Sequence, residues 1–260
     1  MSHTLPPIQL FKSTPSTNDL AIAAAKTNPP HGSCWVADQQ TKGRGRRQSS
    51  GESRPWFSPP GKNLYLSLFV RHHLPPHLVS TLTLAAALGA WRAINPLLEQ
   101  KGEEVQDKLL IKWPNDLYIA HKKLGGILSE GVMVNNKLDT VVIGIGLNIN
   151  LSSEDLPDEL KDIATSLQIA TSSTHDRLSL AHTLRDELLL ACTQLEQLGL
   201  PFIIKNLQPI DQTIGRSVST TVNGQPQQGT SLGIAPSGGL LIQLTTGQTI
   251  EVQSGEVLFI

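Results

Sequence analysis

Arginines and glycines are concentrated in the segment TKGRGRRQSSGESRPWFSPPGKN, which spans Thr41–Asn63 and holds four of each residue type. Gly43 and Gly45 let the backbone approach a ligand closely, because a residue without Cβ adds no steric barrier. The planar guanidinium groups of Arg44 and Arg46 match the geometry of a phosphate or a carboxylate. Segments of this composition are also common as solvated surface connections. The spacing therefore indicates an anion-binding loop, which needs support from the rest of the chain.

Two later segments place charged and small residues at the ends of predicted strands. In IKWPNDLYIA, Lys112 ends an apolar run, and a turn then leads through Asn115 to Asp116. Asn-Asp after Pro is also ordinary turn chemistry. In KLGGIL, Lys123 precedes the glycine pair Gly125-Gly126. Glycines inside a strand usually mark a bulge or a ligand that lies against the backbone.

Small residues alternate in GIGLNIN, where Gly144, Gly146 and Asn148 lie two positions apart. Side chains alternate between the faces of a strand, so this spacing places all three residues on one face. The segment lacks the GxGxxG spacing of a dinucleotide-binding turn. Together with the preceding segments it predicts a sheet with a bare glycine floor, surrounded by two lysines, two to four arginines and one acid.

The composition is that of a globular protein: 39% of the 260 residues are hydrophobic and 17% are charged, with a net charge of -1. This length supports one sizeable core and a small second domain. The near-zero net charge disfavours a protein built mainly to bind nucleic acid, which would carry a basic excess. The sequence contains no apolar run of about 18 residues and no signal peptide, so we expect a cytoplasmic protein without a membrane partner.

The two cysteines, Cys34 and Cys192, are far apart and form no CxxC pattern. This usage suits a reducing compartment and offers neither a zinc site nor a disulfide framework. We expect both thiols to be buried among apolar side chains.

Hydrophobic periodicity predicts helices and strands in an order typical of an α+β protein. The predicted helices are Ser16–Thr27, His77–Gln100 and Asp176–Leu200. The predicted strands are Cys34–Gln39, Asn63–Val70, LLIKW, DLYIA, KLGGILSEGVMV and TVVIGIGLNIN, the last four forming a meander. Residues in Asn63–Val70 alternate between apolar and polar, which favours a strand. Ser16 and Asp19 resemble a capping box, and Pro96 is expected to kink or stop the second helix.

The character of the sequence changes between Pro201 and Gly215. Beyond this point, short alternating segments are separated by the glycine turns Asn223-Gly224, Gly238-Gly239, Gly247 and Gly255. Such spacing is typical of a small all-β barrel of about 50 residues. We place a domain boundary near Gln208, which divides the chain into residues 1–207 and residues 208–260.

The segments whose residues could bind a ligand or catalyse a reaction belong to six motifs, which follow one another along the chain. They are STN (Ser16–Asn18), QTKGRGR (Gln40–Arg46), WFSPPGKNLYLSL (Trp56–Leu68), KWPNDL (Lys112–Leu117), KLGGIL (Lys123–Leu128) and GIGLNIN (Gly144–Asn150). This set closely resembles that of the biotin protein ligases, densely from about Ser13 to Asn150 and more loosely in the terminal barrel. The resemblance implies an α+β fold with a mixed, mainly antiparallel sheet and flanking helices, as in class II synthetases. It also implies a C-terminal SH3-like β-barrel.

The resemblance implies an ATP-dependent ligase that works in two steps. Biotin and ATP form biotinyl-5'-AMP with loss of pyrophosphate, and the biotinyl group then passes to one lysine of a biotin carboxyl carrier protein, a domain of acetyl-CoA carboxylase. Two anions meet in the first step, so catalysis consists mostly of positioning and charge stabilisation. The implied metal is Mg²⁺ held through phosphates, with Asp116 as a candidate ligand and no site built by the protein alone.

The resemblance also implies which residues do this chemistry. The implied catalytic residues are Lys123, Arg46, Lys112 and Asp116. The implied biotin-binding residues are Ser16, Thr17, Asn18, Gln40, Gly43, Arg44, Gly45, Arg46, Lys123, Gly125, Gly126 and Gly144. The implied ATP-binding residues are Arg46, Arg54, Trp56, Lys112, Asn115, Asp116, Lys123 and Asn148.

Within these sets the resemblance implies distinct positions around the adenylate. Arg44 and Arg46 bracket the carboxylate and the α-phosphate, and Lys123 reaches the oxygen that joins biotin to AMP. The short neutral side chains of STN, together with Gln40, suit the uncharged ureido head of biotin. Glycines of the sheet leave room for the ligand.

Water would destroy the mixed anhydride, so we interpret the arginine segment as a lid that folds over it. Gln48–Ser53 stands between Arg47 and Arg54, which makes the lid about five residues longer than in many family members, at a cost of a few tenths of a kcal/mol. The STN motif begins almost at once, so we expect no N-terminal DNA-binding domain and no DNA partner. A homodimer that pairs two sheets edge to edge stays open.

Three alternative functions stay open at this point. A lipoate or octanoate ligase of the same fold is disfavoured by the full GRGR and KWPND motifs. A non-catalytic biotin-binding module is disfavoured because Arg44, Lys112 and Lys123 are all present. A nucleic-acid binder would need a broader basic surface. The acidic stretch Ser152–Asp162 is interpreted as a solvated loop with a short helix.

Overall fold

The computed structural model describes residues 5–47, 53–99, 108–134, 137–222 and 224–260. In chain order, the elements of the first part are β1 (Gln9–Phe11), α1 (Thr17–Ala25), β2 (Cys34–Ala37), β3 (Arg44–Arg47), β4 (Ser53–Pro55), β5 (Leu64–Arg71), α2 (Leu82–Glu99), β6 (Leu109–Lys112), β7 (Asp116–Ile119), β8 (Lys122–Val134), β9 (Lys137–Leu147), α3 (Leu167–Thr171), α4 (Arg177–Leu198) and α5 (Leu200–Leu207). Seven strands form one sheet in the order β1-β2-β5-β9-β8-β7-β6. Only the β1–β2 pair within this sheet is parallel. The α+β fold predicted from the sequence is confirmed.

The predicted meander is confirmed as β6 to β9, which are consecutive antiparallel neighbours. Its register places Lys112 opposite Asp116, and Asp116 opposite Gly126. Gly126 in turn lies opposite Gly146. The charged residues of β6 and β7 therefore meet the glycines of β8 and β9 at one end of the sheet.

The strand predicted over Asn63–Val70 is confirmed as β5, and its residues from Leu64 to Val70 are buried on both faces. Leu66 and Leu68 lie in the main core, with residues of α2 and α4. Phe69 lies in a smaller core, with Ala21 of α1 and its neighbours. Ser67 is also fully buried, and its hydroxyl contacts α1. The polar positions of this strand thus face a second layer of protein instead of solvent.

Helix α2 continues through Pro96 to Glu99, the last described residue of this segment, so Pro96 does not stop it. The proline removes one backbone hydrogen bond of the helix. Gln100, the predicted end, lies outside the described residues. The stretch Pro76–Glu99 is long and apolar enough to cross a membrane, but 67% of its most apolar window is buried inside the protein. It is the central helix of the core.

The other two predicted helices are confirmed. Helix α1 follows Ser16, whose Oγ accepts a hydrogen bond from the Asp19 amide at 3.4 Å. Helix α4 follows Asp176, whose carboxylate accepts from two amides of the first turn. Both cysteines are buried free thiols, and burial raises the pKa of each to about 12, so neither is a reactive thiolate.

The last part of the chain forms a second sheet. Its strands are β10 (Ser217–Val222), β11 (Gln225–Ile234), β12 (Leu240–Leu244), β13 (Thr249–Val252) and β14 (Val257–Phe259). They pair antiparallel in the order β13-β12-β11-β10-β14, consistent with the expected small barrel. The connection to this sheet runs along the edge strand β6, where the Gln212 amide donates to the Ile111 carbonyl at 2.8 Å. The boundary near Gln208 stays a prediction.

Helices α2 and α4 approach each other closely at Gly89, which generates a prediction about stability. A Cβ at this position would lie 2.7 Å from the Glu187 carbonyl oxygen and 3.0 Å from the Leu188 Cα. An exposed Gly→Ala change in a helix gains about 1 kcal/mol, but overpacking against backbone costs about 1–3 kcal/mol. We expect Gly89→Ala to lower the urea midpoint, measured by circular dichroism.

Thr183→Ala serves as the control, because Thr183 lies on the exposed face of α4. This change removes a β-branched residue without affecting packing, so the midpoint should stay equal or rise. A higher midpoint for Gly89→Ala than for the unchanged protein would contradict the close helix approach.

Candidate active site

A cavity of about 690 Å³ opens where the arginine segment, the end of the main sheet and the second sheet meet. Its volume is within the usual range for small-molecule sites. All but two of the site residues predicted from the sequence line this cavity. They are Ser16, Thr17, Asn18, Gln40, Arg44, Gly45, Arg46, Arg54, Trp56, Lys112, Asn115, Asp116, Lys123, Gly126, Gly144 and Asn148.

The two exceptions are Gly43 and Gly125, which lie behind the cavity wall. A Cβ on Gly125 would overlap the Leu147 side chain and lie 2.6 Å from the Gly146 carbonyl oxygen. A Cβ on Gly43 would lie 3.0 Å from Gln40 Nε2. Both glycines therefore permit close packing of protein on protein, instead of leaving room for a ligand.

One end of the cavity, here called the neutral end, consists of Ser16, Thr17, Asn18 and Gln40. The Thr17 amide donates to Gln40 Oε1 at 2.8 Å, and the Thr17 hydroxyl donates to the same atom at 3.2 Å. The buried Ser67 hydroxyl lies 2.9 Å from Thr17 Oγ1 and 2.5 Å from Asn18 Oδ1. These uncharged donors and acceptors are fixed by the start of α1 and by β5.

The predicted bare glycine floor is covered by two side chains. A Cβ on Gly144 would overlap the amide group of Asn18, and a Cβ on Gly146 would lie 3.0 Å from the Trp56 ring. The glycines thus admit Asn18 and Trp56, which form the surface that faces the cavity. Trp56 Nε1 is buried and has no hydrogen-bond partner among the described residues.

Asn148 directly follows the last residue of β9, Leu147, and lines the cavity together with Gly144 and Gly146. Its side chain is buried, accepts from Asn63 Nδ2 at 3.2 Å and donates to the Thr165 carbonyl at 3.0 Å. Asn148 lines the cavity, but its amide group already joins the end of β9 to the following loop.

The opposite end of the cavity, here called the charged end, consists of Arg46, Lys112, Asn115, Asp116 and Lys123. Lys123 Nζ lies 2.8 Å from Asp116 Oδ2. Arg46 Nη1 donates to Asn115 Oδ1 at 3.2 Å, and Asn115 Nδ2 donates to the Ile127 carbonyl at 2.9 Å. The meander brings these groups together from the ends of adjacent strands.

The cations of the charged end are poorly solvated. Burial lowers the pKa of the Arg46 guanidinium and of the Lys112 ammonium, and the charge of Asp116 only partly offsets this effect. Charged groups removed from water are stabilised by an opposite charge at short distance. The charged end is therefore suited to bind an anion.

Arg44 differs from Arg46, because two carboxylates already hold it. Its Nη2 lies 2.8 Å from Asp19 Oδ1 and 3.1 Å from Glu130 Oε2, and its Nη1 donates to Ser16 Oγ at 3.2 Å. The guanidinium thus fixes the base of the arginine segment against α1 and β8. Sequence reasoning missed Glu130, which is not part of the expected anion site.

The arginine segment forms a two-stranded hairpin, with Arg44 of β3 opposite Pro55 of β4 and Arg47 opposite Ser53. Residues 48–52, which include most of the predicted insertion, lie outside the described residues.

Sequence reasoning also missed an apolar wall, formed by Leu156, Leu160, Ile163 and Ala164. These residues belong to or follow the stretch Ser152–Asp162, which was interpreted as a solvated loop. The spacing of four between Leu156 and Leu160 indicates one apolar face and could have identified the wall. The Lys123 amide donates to the Ile163 carbonyl at 2.8 Å, which fixes the wall beside the charged end.

The loop between β13 and β14, with the first residue of β14, contributes further missed residues, which are Ser254, Gly255, Glu256 and Val257. Arg46 Nη1 donates to the Gly255 carbonyl at 3.4 Å, and Arg54 Nη1 lies 2.7 Å from Glu256 Oε1. Lys112 Nζ lies 5.0 Å from the centre of the Phe259 ring. The second sheet therefore closes the charged end, a contact that no local sequence signal predicts.

The described residues contain no group of three or more His, Cys, Asp or Glu side chains placed to hold a metal ion. Asp116 Oδ1 is buried and has no hydrogen-bond partner among these residues. One or two carboxylates, together with substrate phosphates and waters, are the usual ligands of Mg²⁺, and a free carboxylate oxygen of this kind is suited to be one of them. The site therefore fits Mg²⁺ that arrives with a phosphate ligand.

Comparison with known proteins gives relatives over nearly the whole chain. The chain is 35% identical over 239 residues to the bifunctional ligase/repressor BirA of Bacillus subtilis. The aligned region covers 89% of this chain and 68% of that protein. It is 30% identical over 254 residues to the biotin–[acetyl-CoA-carboxylase] ligase of Mycobacterium tuberculosis, which covers 96% of this chain and 88% of that protein.

The fold is similar to that of the biotin protein ligase from Aquifex aeolicus in complex with biotin and ATP. The TM-score is 0.77 at 27% identity, with 98% of this chain and 99% of that chain covered. The biotin protein ligase C terminal domain matches residues 213–259. The biotin/lipoate A/B protein ligase family matches residues 10–148, which is more than half of the chain. This chain therefore belongs to the biotin/lipoate A/B protein ligase family.

Proposed function

We propose that this protein activates biotin with ATP to form biotinyl-5'-AMP and transfers the biotinyl group to a lysine of a biotin carboxyl carrier protein, a domain of acetyl-CoA carboxylase. Family membership and the names of the relatives support this function. The structural observation that carries it is a single cavity that joins a neutral end to a charged end. Biotin has an uncharged ureido head and a carboxylate tail, so the two ends of the cavity match the two ends of the molecule.

In this proposal the ureido head binds at the neutral end, where Thr17 and Gln40 supply uncharged polar atoms. The apolar body of biotin lies along Leu128 and Trp56, and its carboxylate points to Arg46 and Lys123. The adenine ring of ATP packs against the apolar wall, which borders the charged end. The adenine ring is flat and uncharged, so dispersion contacts with an apolar wall are suited to bind it.

The first step brings two anions together. A carboxylate oxygen of biotin attacks the α-phosphorus of ATP, and the bond from that phosphorus to the pyrophosphate oxygen breaks. Arg46, Lys112 and Lys123 stabilise the negative charge that accumulates, in a site where fixed cations act with little screening. Mg²⁺, when bound by phosphate oxygens and Asp116 Oδ1, supplies further neutralisation. Lys123 exchanges its contact with Asp116 for one with the reacting oxygens.

In the second step a neutral lysine amine of the carrier attacks the acyl carbon, and the bond from that carbon to the phosphate oxygen of AMP breaks. The amine loses a proton, for which Asp116 is the proposed acceptor. The hairpin of β3 and β4 retains the adenylate until the carrier arrives, because Arg46 contacts the second sheet from this hairpin. Exclusion of water protects the mixed anhydride during this interval.

The finer features of the protein are part of the same proposal. Residues 1–207 form the catalytic domain, and residues 208–260 form the C-terminal domain. The enzyme works in the cytoplasm without a DNA or membrane partner. The net charge of -1 supports the part of this proposal that concerns DNA. It is able to pair with a second copy as a homodimer.

Exchange of labelled pyrophosphate into ATP tests the proposed function. We expect exchange that depends on biotin and Mg²⁺, and none with lipoate or octanoate, because an apolar acyl chain leaves the polar groups of the neutral end unpaired. Exchange with lipoate or octanoate but not with biotin would support a ligase of different acyl specificity. Biotin binding without any exchange would support a binding module.

Lys123→Ala tests the charged end. Loss of a fixed cation beside the reacting oxygens should lower the rate of biotinyl-AMP formation about 100-fold. Lys122→Ala is the matched control, because this neighbouring ammonium donates to the Lys161 carbonyl at 2.7 Å and does not line the cavity. Rapid-quench measurement with labelled ATP gives both rates. Equal rates for the two variants would remove Lys123 from the proposed mechanism.

Arg46→Ala tests retention of the intermediate. This change removes the hydrogen bonds to Asn115 and to the Gly255 carbonyl, so biotinyl-AMP should leave the enzyme about tenfold faster. The release rate is measured by filtration after a single turnover without carrier protein. Arg71→Ala serves as the control, because the Arg71 guanidinium binds Asn28 outside the cavity. An unchanged release rate for Arg46→Ala would contradict the role of the hairpin as a lid.

A further inference from the structure

Glu130 is placed between the two parts of the chain that surround the neutral end. It lies on β8 two positions after Leu128, which lines the cavity, so both residues lie on the same face of the strand. Its Oε2 accepts a hydrogen bond from Asn18 Nδ2 at 2.7 Å. Arg44 Nη2 donates to both carboxylate oxygens of Glu130, at 3.1 Å to Oε2 and at 3.3 Å to Oε1. One carboxylate therefore contacts the start of α1 and the base of the arginine hairpin.

We propose that Glu130 is a positioning residue that couples the neutral end of the cavity to the arginine hairpin. It fixes Asn18 for biotin binding and Arg44 for retention of the adenylate, without lining the cavity itself. This inference rests on the proposed function and adds to it a residue outside the six sequence motifs that carry the resemblance.

The Asn18 amide is fully engaged only when Glu130 is present. Its Oδ1 accepts from the Ser67 hydroxyl, and its Nδ2 donates to the Leu128 carbonyl and to Glu130. The amide has two N–H groups, so these contacts use both and fix its orientation. Asn18 is buried, and loss of Glu130 would leave one N–H without an acceptor, which favours a rotated or displaced side chain. Because Asn18 covers Gly144, such a displacement changes the shape of the neutral end.

Arg44 lies closer to Asp19, at 2.8 Å, than to Glu130, at 3.1 Å, but Glu130 is the more shielded of the two carboxylates. The Glu130 side chain is 31% exposed, whereas that of Asp19 is 54% exposed. Exposed ion pairs contribute little, because water and salt screen them. Arg44 is followed directly by Gly45 and Arg46, so a displaced Arg44 guanidinium loosens the strand that presents Arg46. Lys112 and Lys123 belong to the main sheet and keep their positions.

The expected effects of Glu130→Ala therefore differ among kinetic steps. In pyrophosphate exchange the KM for biotin should rise about tenfold, and in single-turnover filtration biotinyl-AMP should leave about tenfold faster. The rate at saturating biotin should change by no more than about threefold, because Lys112 and Lys123 remain in place. A general structural defect would instead lower this rate together with the thermal midpoint.

Glu130→Gln separates the two contacts of the carboxylate. An amide oxygen still accepts from Asn18 Nδ2, but the negative charge beside Arg44 is lost. The KM for biotin should therefore return to within about threefold of the unchanged protein, while biotinyl-AMP still leaves faster. Asp19→Asn is the matched control, since it removes the other carboxylate on Arg44 without affecting Asn18. It should change both quantities by about twofold or less.

Three outcomes would overturn the proposal. The first is an unchanged KM for biotin and an unchanged release rate in a folded Glu130→Ala variant. The second is an equal loss in the Ala and Gln variants, and the third is an equal effect of Asp19→Asn. Failure of the proposed function is distinguishable from these outcomes: the unchanged protein would then form no biotinyl-AMP. Calorimetry of biotin binding without ATP would still test the contact between Glu130 and Asn18.

Discussion

The structure of the site depends on the cost of holding cations away from water. Burial lowers the pKa of Arg46 and of Lys112, and the charges of Asp116 and, to a smaller extent, Glu256 partly compensate both. Asp116 also pairs with Lys123, which leaves one of its oxygens without a partner among the described residues. The charged end is thus short of negative charge, and a phosphate ligand restores the balance. The same imbalance makes an anionic transition state favourable.

A meander is well suited to produce this arrangement. Each of its turns brings the end of one strand to the start of the next, so residues separated by a few positions meet at one end of the sheet. Lys112, Asp116 and Lys123 come from three successive strands in this way. Gly144 and Gly146 of β9 have no side chains that would fill the space above the sheet. Asn18 of α1 and Trp56, which follows β4, occupy this space.

The C-terminal part of the chain, which contains the second sheet, contacts residues of the site directly. The Trp113 indole N–H donates to the Gly238 carbonyl at 3.0 Å, which attaches the turn between β6 and β7 to this sheet. The Gly255 carbonyl and Glu256 contact arginines of the hairpin, and Phe259 covers Lys112. Movement of the second sheet would therefore alter the hairpin and the charged end together.

The sequence by itself determined the local features of this protein. Periodicity predicted the helices α1 and α4 and the meander, and the motifs predicted the family and, with Arg54, 16 of the 32 residues that line the cavity. These features depend on residues close in sequence, or on motifs that are identified without knowledge of their contacts. Alternation also predicted the strand β5, but it did not show that both faces of this strand are buried, one of them under α1.

Only the tertiary structure decided which groups share a contact. It placed Asn18 and Trp56 on the glycine floor, Gly43 and Gly125 behind the wall, and Glu130 between Asn18 and Arg44. It also brought Gly255 to Arg46, more than 200 residues away in the chain. Such contacts depend on packing between distant elements, and no periodicity or spacing within one element encodes them. For this reason the sequence predicted the residues that lie in its motifs, whereas the fold added the apolar wall and the C-terminal residues and determined what each side chain touches.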